Sequence, residues 1–212
     1  MANLWAAIMG IAFINVTICF GVFIQLFKFT SFFIKDIKLQ LFAFFLIIVD
    51  PTLSTQFVIV NPEVILIFFF FLSVNGILYK RKRLQFLGLF FLSIVSFRSM
   101  MLFAGLFLFD ILNRIFLKKE KLKTILNLKF LLFYFFASLP GILFVAWRLL
   151  TKGWLQTHPD SPWAGLWQLA TLKIFFKNCI VLLWRYLDFG KSIFISMFSF
   201  FYFLFWKKNY IN

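Results

Sequence analysis

The sequence has few of the side chains that soluble enzymes use for chemistry. Its 212 residues include one histidine, two cysteines and seven acidic residues. Cys19 and Cys179 lie in apolar segments, where a thiol usually acts as a small hydrophobic group, so we predict neither a disulfide framework nor a zinc site. The sequence also has no glycine-rich phosphate loop and no pair of histidines at metal-binding spacing. It therefore predicts no metal ligand set and no cofactor.

Apolar residues make up most of the chain. The hydrophobic fraction is 63%, 37 residues are phenylalanine, and only 14% are charged. The segment from Leu4 to Phe27 contains no charged residue, and as a helix it is long enough to cross the ~30 Å hydrocarbon core of a bilayer. This composition excludes an ordinary soluble domain and predicts an integral membrane protein.

The net charge of +15 arises from lysines and arginines that form short clusters between the apolar segments. Basic loops of this kind mark the cytoplasmic side of a membrane protein. The charge therefore indicates membrane orientation, and we predict no nucleic-acid partner. The clusters are Lys28, Lys35 and Lys38; Lys80, Arg81, Lys82 and Arg83; Lys118, Lys119, Lys121 and Lys123; and Lys207 with Lys208.

The apolar segments predict an all-α, polytopic transmembrane protein with about six spans plus short re-entrant or interfacial helices, in one domain over residues 1–212. Asp50-Pro51 should end one segment, because proline cannot donate the next helical hydrogen bond, and Pro62 should begin another. Residues 169–187 carry a polar stripe, which predicts a helix along the outer interface. The apolar segments are residues 4–27, 39–49, 62–79, 84–97, 99–117, 130–149 and 191–206.

This topology collects polar groups, including the loop 151–168, on the outer side of the membrane. Carboxylates and cations at that depth suit a lipid that carries an anionic phosphate. Arg98 has a second interpretation as an interfacial anchor, and we expect Asp110 and Arg114, four residues apart, to be a local structural support. The outer polar groups are Asp50, Gln56, Glu63, Arg98, Lys152, His158, Asp160, Asn178, Arg185 and Asp188.

Over roughly residues 10–205 the order of several segments resembles bacterial GT-C membrane glycosyltransferases of the dolichyl-phosphate-mannose-protein mannosyltransferase-like kind. The segments are FFLIIVDPTLSTQF, NPEVILIFFFFLSVNGILYKRKR, SFRSMMLFAGLFLFDI, LPGILFVAW, GWLQTHPDSPWAG and KNCIVLLWRYLDFGK. The resemblance implies transfer of a sugar from a polyprenyl-phosphate donor to a lipid, glycan or protein acceptor on the outer face. A divalent metal is common in some relatives of this class, but no ligand cluster here supports one.

The resemblance also implies roles for individual residues. Glu63 and Asp50 are the candidate catalytic carboxylates, with Glu63 as general base on the acceptor hydroxyl. Arg98 and Arg185 are candidates for binding the lipid phosphate, because a guanidinium offers two donors to phosphate oxygens. The other candidate substrate-binding residues are His158, Trp154, Trp163, Asn178 and Asp188. The tryptophans have an alternative role as interfacial anchors, and His158 as a loop residue that bonds local backbone beside Pro159.

The sequence departs from the family pattern at its start. Family members carry their principal acidic residues in an outer loop after the first helix, whereas here no acidic residue precedes Asp36, which lies in a basic loop. We therefore expect the chain to correspond to the part of a GT-C module that follows that loop, as a truncated form of a larger enzyme, a degenerate copy, or a scaffold that has lost catalysis. The competing hypothesis is a non-catalytic, multi-spanning subunit of a larger complex, and a transporter is a weaker third, because most charges lie at the ends of spans.

Overall fold

The computed structural model of the chain describes residues 2–58, 62–154 and 171–188, which form α-helices joined by short turns. The all-α prediction is confirmed for this part of the chain. The chain divides into two compact units, residues 1–156 and 157–212. The helices are α1 (Ala2–Phe33), α2 (Ile37–Val49), α3 (Pro51–Val58), α4 (Pro62–Leu78), α5 (Lys82–Val95), α6 (Phe97–Lys118), α7 (Leu122–Ile125), α8 (Leu128–Lys152) and α9 (Leu172–Asp188).

Among the described residues, three helices are long and apolar enough to cross a membrane, as in a multi-pass membrane protein: Met9–Phe33 in α1, Phe97–Phe116 in α6 and Leu128–Lys152 in α8. The other apolar helices are shorter, with 13 residues in α2, 17 in α4 and 14 in α5. A straight span needs about 20 residues. The predicted end of the first span, at Phe27, is too early, because α1 continues past Lys28 to Phe33. Lysine is a good helix former, and its long side chain can reach water while the backbone stays helical.

Proline and capping side chains define several helix ends as the sequence predicts. The α2 helix ends at Val49, and Asp50 then caps the next helix, its carboxylate oxygen Oδ1 accepting a hydrogen bond of 3.2 Å from the Leu53 amide. The α4 helix begins at Pro62. The α8 helix ends at Gly153, which has a positive φ of 71° that glycine adopts without strain.

Two turns in the basic clusters have an unusual backbone. Lys80, between α4 and α5, has φ 58°, and Lys119, directly after α6, has φ 53°. This left-handed region costs a side-chain-bearing residue about 1–2 kcal/mol and favours glycine. Both turns nevertheless carry lysine.

The first unit is held together by close helix packing around α5, which contacts α4 on one side and α8 on the other. A Cβ atom added at Gly141 of α8 would lie 2.6 Å from the backbone oxygen of Ser93 in α5. At the other contact, a Cβ atom at Gly76 of α4 would lie 2.5 Å from the backbone nitrogen of Gln85. Small residues at such crossings let backbones approach closely, as is typical of helix packing inside membranes.

Hydrogen bonds and ion pairs define two ends of this unit. At one end the Tyr79 hydroxyl donates a 2.8 Å hydrogen bond to the Lys28 carbonyl, which joins the ends of α1 and α4 next to basic clusters. At the other end the first turns of α4 and α6 meet through Glu63 and Arg98. We call these the basic end and the Arg98 end.

The second unit contains α9, the helix predicted at the membrane interface. It spans Leu172–Asp188, and its side chains from Leu172 to Trp184, including Lys173 and Lys177, are exposed. Lys173 and Lys177 are four residues apart and therefore lie on the same face of this helix. The last predicted span, residues 191–206, lies outside the described residues.

Candidate functional site

The first element of the candidate site is an ion pair between two predicted site residues. Glu63 lies in the first turn of α4, where the positive end of the helix dipole favours a carboxylate. Its Oε1 accepts a 3.0 Å hydrogen bond from Nη1 of Arg98, in the first turn of α6. The side chains are 36% and 78% exposed, respectively, so the pair is open to a ligand from outside. The carboxylate and the guanidinium currently neutralise each other.

A second arginine, Arg148, lies at the same end and was not predicted. Its guanidinium carbon is 5.4 Å from the ring centre of Phe97, the residue before Arg98, and 4.3 Å from the ring centre of Trp154. Trp154, a predicted substrate-binding residue, is therefore held at the Arg98 end by a cation–π contact. The available sequence signal was a single arginine in the apolar outer half of α8, where a charge is costly.

The third element is an apolar cavity of about 410 Å³, whose lining residues Met100 and Leu149 are close in sequence to Arg98 and Arg148. Its size lies within the usual range for small-molecule sites. The cavity lies between α6 and α8, with Ser93 of α5 contributing to its lining. The lining residues are Ser93, Met100, Phe103, Ser138, Gly141, Ile142, Val145, Ala146 and Leu149. With two serine hydroxyls and otherwise apolar side chains, this lining suits a hydrocarbon chain better than a polar ligand.

Aromatic contacts join α6 and α8 along the length of the cavity. The ring centres of Phe97 and Phe144 are 6.0 Å apart, and Phe144 lies between cavity-lining residues of α8. Nearer the basic end, the Phe103 and Phe107 rings contact the Tyr134 ring edge-on, at 6.0 Å and 4.9 Å, and Phe103 is itself part of the cavity lining.

The remaining predicted site residues lie at the start of α3, on α9 of the second unit, or outside the described residues. The Asp50 carboxylate caps α3, which is a structural role. Asn178 is exposed on α9 in the second unit, and Arg185 and Asp188 belong to the last turn or so of that helix. His158 and Trp163 lie outside the described residues.

Sequence reasoning missed a buried polar cluster near the basic end, which we call the Asp110 cluster. Asp110 of α6 is 3% exposed, and its Oδ2 accepts 2.9 Å hydrogen bonds from the Gln85 side chain of α5 and the Tyr134 hydroxyl of α8. The Gln85 amide also lies 2.9 Å from the Tyr134 oxygen. Side chains from three helices thus meet at one buried carboxylate.

Two cations neutralise the charge of the Asp110 cluster. The Arg114 Nε donates a 3.1 Å hydrogen bond to Oδ1 of Asp110, and the Lys82 Nζ lies 3.9 Å from Oδ2. The predicted local support between Asp110 and Arg114 is present, but the same carboxylate also reaches across to neighbouring helices. Gln85, Asp110 and Tyr134 each lie in a mainly apolar segment that also contains other polar residues, and the sequence does not show that these three meet.

Within the described ranges, no group of three histidine, cysteine, aspartate or glutamate side chains could hold a metal ion. The chemistry that this part of the chain offers is therefore that of carboxylates, arginines and aromatic rings.

Comparison with known proteins gives no match: no family model, no curated protein and no solved structure is significantly similar to the chain. The function has to be argued from the site itself.

Proposed function

We propose that the chain is a membrane glycosyltransferase that transfers a sugar from a polyprenyl-phosphate-linked donor to an acceptor at the outer face of the membrane. The observation that carries this proposal is the position of one carboxylate and two arginines at the Arg98 end of the unit, on α4, α6 and α8, of which α6 and α8 also line an apolar cavity. We propose that part of a lipid chain occupies the cavity, that its phosphate binds the arginines, and that the sugar attached to the phosphate lies near the carboxylate.

The reaction would be a single displacement. An acceptor hydroxyl oxygen bonds to the anomeric carbon as the bond from that carbon to the phosphate oxygen breaks, and the hydroxyl proton passes to Glu63. Arg98 and Arg148 stabilise the negative charge that remains on the polyprenyl phosphate. Because Arg98 now neutralises Glu63, donor phosphate that takes over Arg98 would also release the carboxylate to act as a base.

Substitutions at both ends of the unit test this mechanism. In vesicles with a polyprenyl-phosphate sugar, we expect Glu63→Gln to abolish transfer while leaving donor binding in place. We expect Arg98→Ala to weaken donor binding and transfer together. Glu120→Gln is the matched control, because its carboxylate is similarly exposed but lies at the basic end, 4.0 Å from the Arg114 guanidinium. Normal transfer by Glu63→Gln would remove this residue from the mechanism.

We also infer the membrane arrangement that this reaction needs. The proposal places the basic end in the bacterial cytoplasm and the Arg98 end outside, with about six crossings. The long helices α1, α6 and α8 cross directly, and α2 with α3, α4 and α5 cross as shorter helices within the bundle. Irregular backbone such as the α2–α3 junction is tolerated at membrane depth where protein surrounds it.

A non-catalytic membrane subunit is the second candidate. It is favoured by the structural use of both predicted catalytic carboxylates, since Glu63 is paired with Arg98 and Asp50 caps α3. This alternative predicts that the chain purifies in a complex of fixed stoichiometry, and that Arg98→Ala leaves the function of that complex unchanged. The transfer assay above separates the two candidates.

A further inference from the structure

The apolar cavity is open along one side, towards the surface that the helices present to the surroundings. On α8 its lining includes Ala146, which is exposed, and Ile142 and Leu149, which are 47% and 43% exposed. On α6 the lining residues Met100 and Phe103 are half-buried. The cavity is therefore an open slot between α6 and α8. A hydrocarbon chain in the bilayer can enter this α6–α8 slot sideways, and no movement of the helices is needed.

The face of α8 that lines the slot ends in a cation. Ile142, Val145 and Leu149 line the slot at intervals of three and four residues. Lys152 follows at the same spacing in the last turn of the helix, and Arg148 lies four residues before it. Residues three and four apart share one face of a helix, so both cations lie on the side of α8 where the apolar lining stops. The α8 sequence contains no acidic residue.

Two tryptophans mark the level of these cations in the membrane. Trp147 is 55% exposed, and the Trp154 ring centre lies 4.3 Å from the Arg148 guanidinium carbon. Tryptophan rings are enriched at the boundary between lipid hydrocarbon and headgroups. We infer that Arg148 and Lys152 lie where the phosphates of membrane lipids lie, and that the slot lies at the level of the acyl chains.

We propose that the α6–α8 slot binds an anionic phospholipid of the bilayer, with one acyl chain between the two helices and the phosphate on Arg148 and Lys152. Two cations beside the slot favour a lipid with a net negative charge over a zwitterionic one. This phospholipid site does not depend on the proposed function. If the glycosyl donor binds as proposed, the two lipids compete for the same slot.

Photolabelling in vesicles tests the site. The protein is reconstituted in phosphatidylcholine with a trace of phosphatidylglycerol that carries a photoactivatable diazirine on one acyl chain, or with phosphatidylcholine labelled in the same way. Adducts are mapped by mass spectrometry. Lys152→Gln removes a cation, and its control is Lys129→Gln, at an exposed lysine in the first turn of α8. Ala146→Phe places a ring in the slot, and its control is Leu143→Phe, at an exposed position outside the lining.

We expect phosphatidylglycerol adducts at Met100 and Ile142 in the unchanged protein and in both controls. Their yield should fall about fivefold with Lys152→Gln, as is typical of one cation near an anionic lipid, and almost to zero with Ala146→Phe. Equal labelling by the two lipids would overturn the proposal, as would adducts that persist with Ala146→Phe or a lack of adducts at these residues.

An excess of unlabelled polyprenyl phosphate tests the proposed function separately. Displacement of the phosphatidylglycerol adducts would support a slot that the two lipids share. Adducts that resist this excess, with the same dependence on the substitutions, would support the phospholipid site and count against the proposed donor.

Discussion

Replacing Asp110 by alanine should destabilise the protein more than any other single change at the basic end. The carboxylate is the shared acceptor for the Gln85 amide and the Tyr134 hydroxyl, and it is the counter-charge of Arg114, whose side chain is only 15% exposed. The change therefore removes two hydrogen bonds between helices and breaks the ion pair of a largely buried cation, which keeps only the more distant carboxylate of Glu120, at 4.0 Å. These two consequences differ in size.

The loss of the buried ion pair should dominate. Hydrogen bonds between helices in membranes are worth about 0.6 kcal/mol each on average, so the two bonds to Oδ2 account for roughly 1 kcal/mol. Removing one partner of a buried ion pair costs about 3–5 kcal/mol. We therefore expect Asp110→Ala to lower the free energy of unfolding by about 3–5 kcal/mol. Tyr134→Phe, which removes one donor and no charge, should cost about 1 kcal/mol.

The isosteric change Asp110→Asn separates the two contributions. An amide can still accept a hydrogen bond but carries no charge, so it should cost nearly as much as Asp110→Ala if charge dominates. Equilibrium unfolding in mixed micelles, with a denaturing detergent as the titrant and helical circular dichroism as the signal, measures each variant. Thr17→Ala is the control, because the Thr17 hydroxyl bonds only within α1 at an exposed position. A loss below about 1 kcal/mol for Asp110→Ala would refute the argument, because the buried cation should cost more than that.

Three further predictions follow from the packing and the proposed orientation. Gly141→Ala should cost about 1–3 kcal/mol in the same unfolding assay, because the new methyl group would press on Ser93, whereas Gly10→Ala, with open space around it, should be neutral. Pro140→Ala should restore the missing helical hydrogen bond and raise the free energy of unfolding in the same assay, and an unchanged or lower free energy would contradict this reasoning. In a Cys19→Ala and Cys179→Ala background, a cysteine at Lys152 should react with a membrane-impermeant maleimide in intact cells, whereas one at Lys35 should react only after permeabilisation; the reverse result would invert the proposed topology.

Local sequence is sufficient to predict several of the helix ends. The end of α2 at Val49 and the start of α4 at Pro62 follow from the missing amide hydrogen of proline and from the capping preference of aspartate. The end of α1 is less predictable. Lys28 is the first charged residue after the apolar segment, but lysine does not break a helix, and α1 continues past it. Proline and capping residues therefore predict where a helix begins or ends, whereas a single charged residue does not.

The contacts within the site depend on packing that the sequence does not display. Glu63 and Arg98 are 35 residues apart, and a common predicted side of the membrane does not by itself make them partners. Gln85 is 25 residues from Asp110 in sequence, and Tyr134 is 24 residues from it. The three side chains meet because α5, α6 and α8 pack with these positions at the same level along their axes. By contrast, the Asp110–Arg114 pair is predictable because a helix places residues four apart on one face.

Lys80 and Lys119, the two lysines with a left-handed backbone conformation, affect membrane insertion as well as folding. A glycine at Lys80 or Lys119 would relieve about 1–2 kcal/mol of backbone strain in the finished turn. It would also remove a positive charge from a loop that, in the proposed orientation, keeps the ends of two helices in the cytoplasm. Orientation is established while the helices are being inserted, before the turn has its final backbone. In the proposed orientation, lysine at these positions thus favours correct insertion, although it makes the folded turn less stable than glycine would.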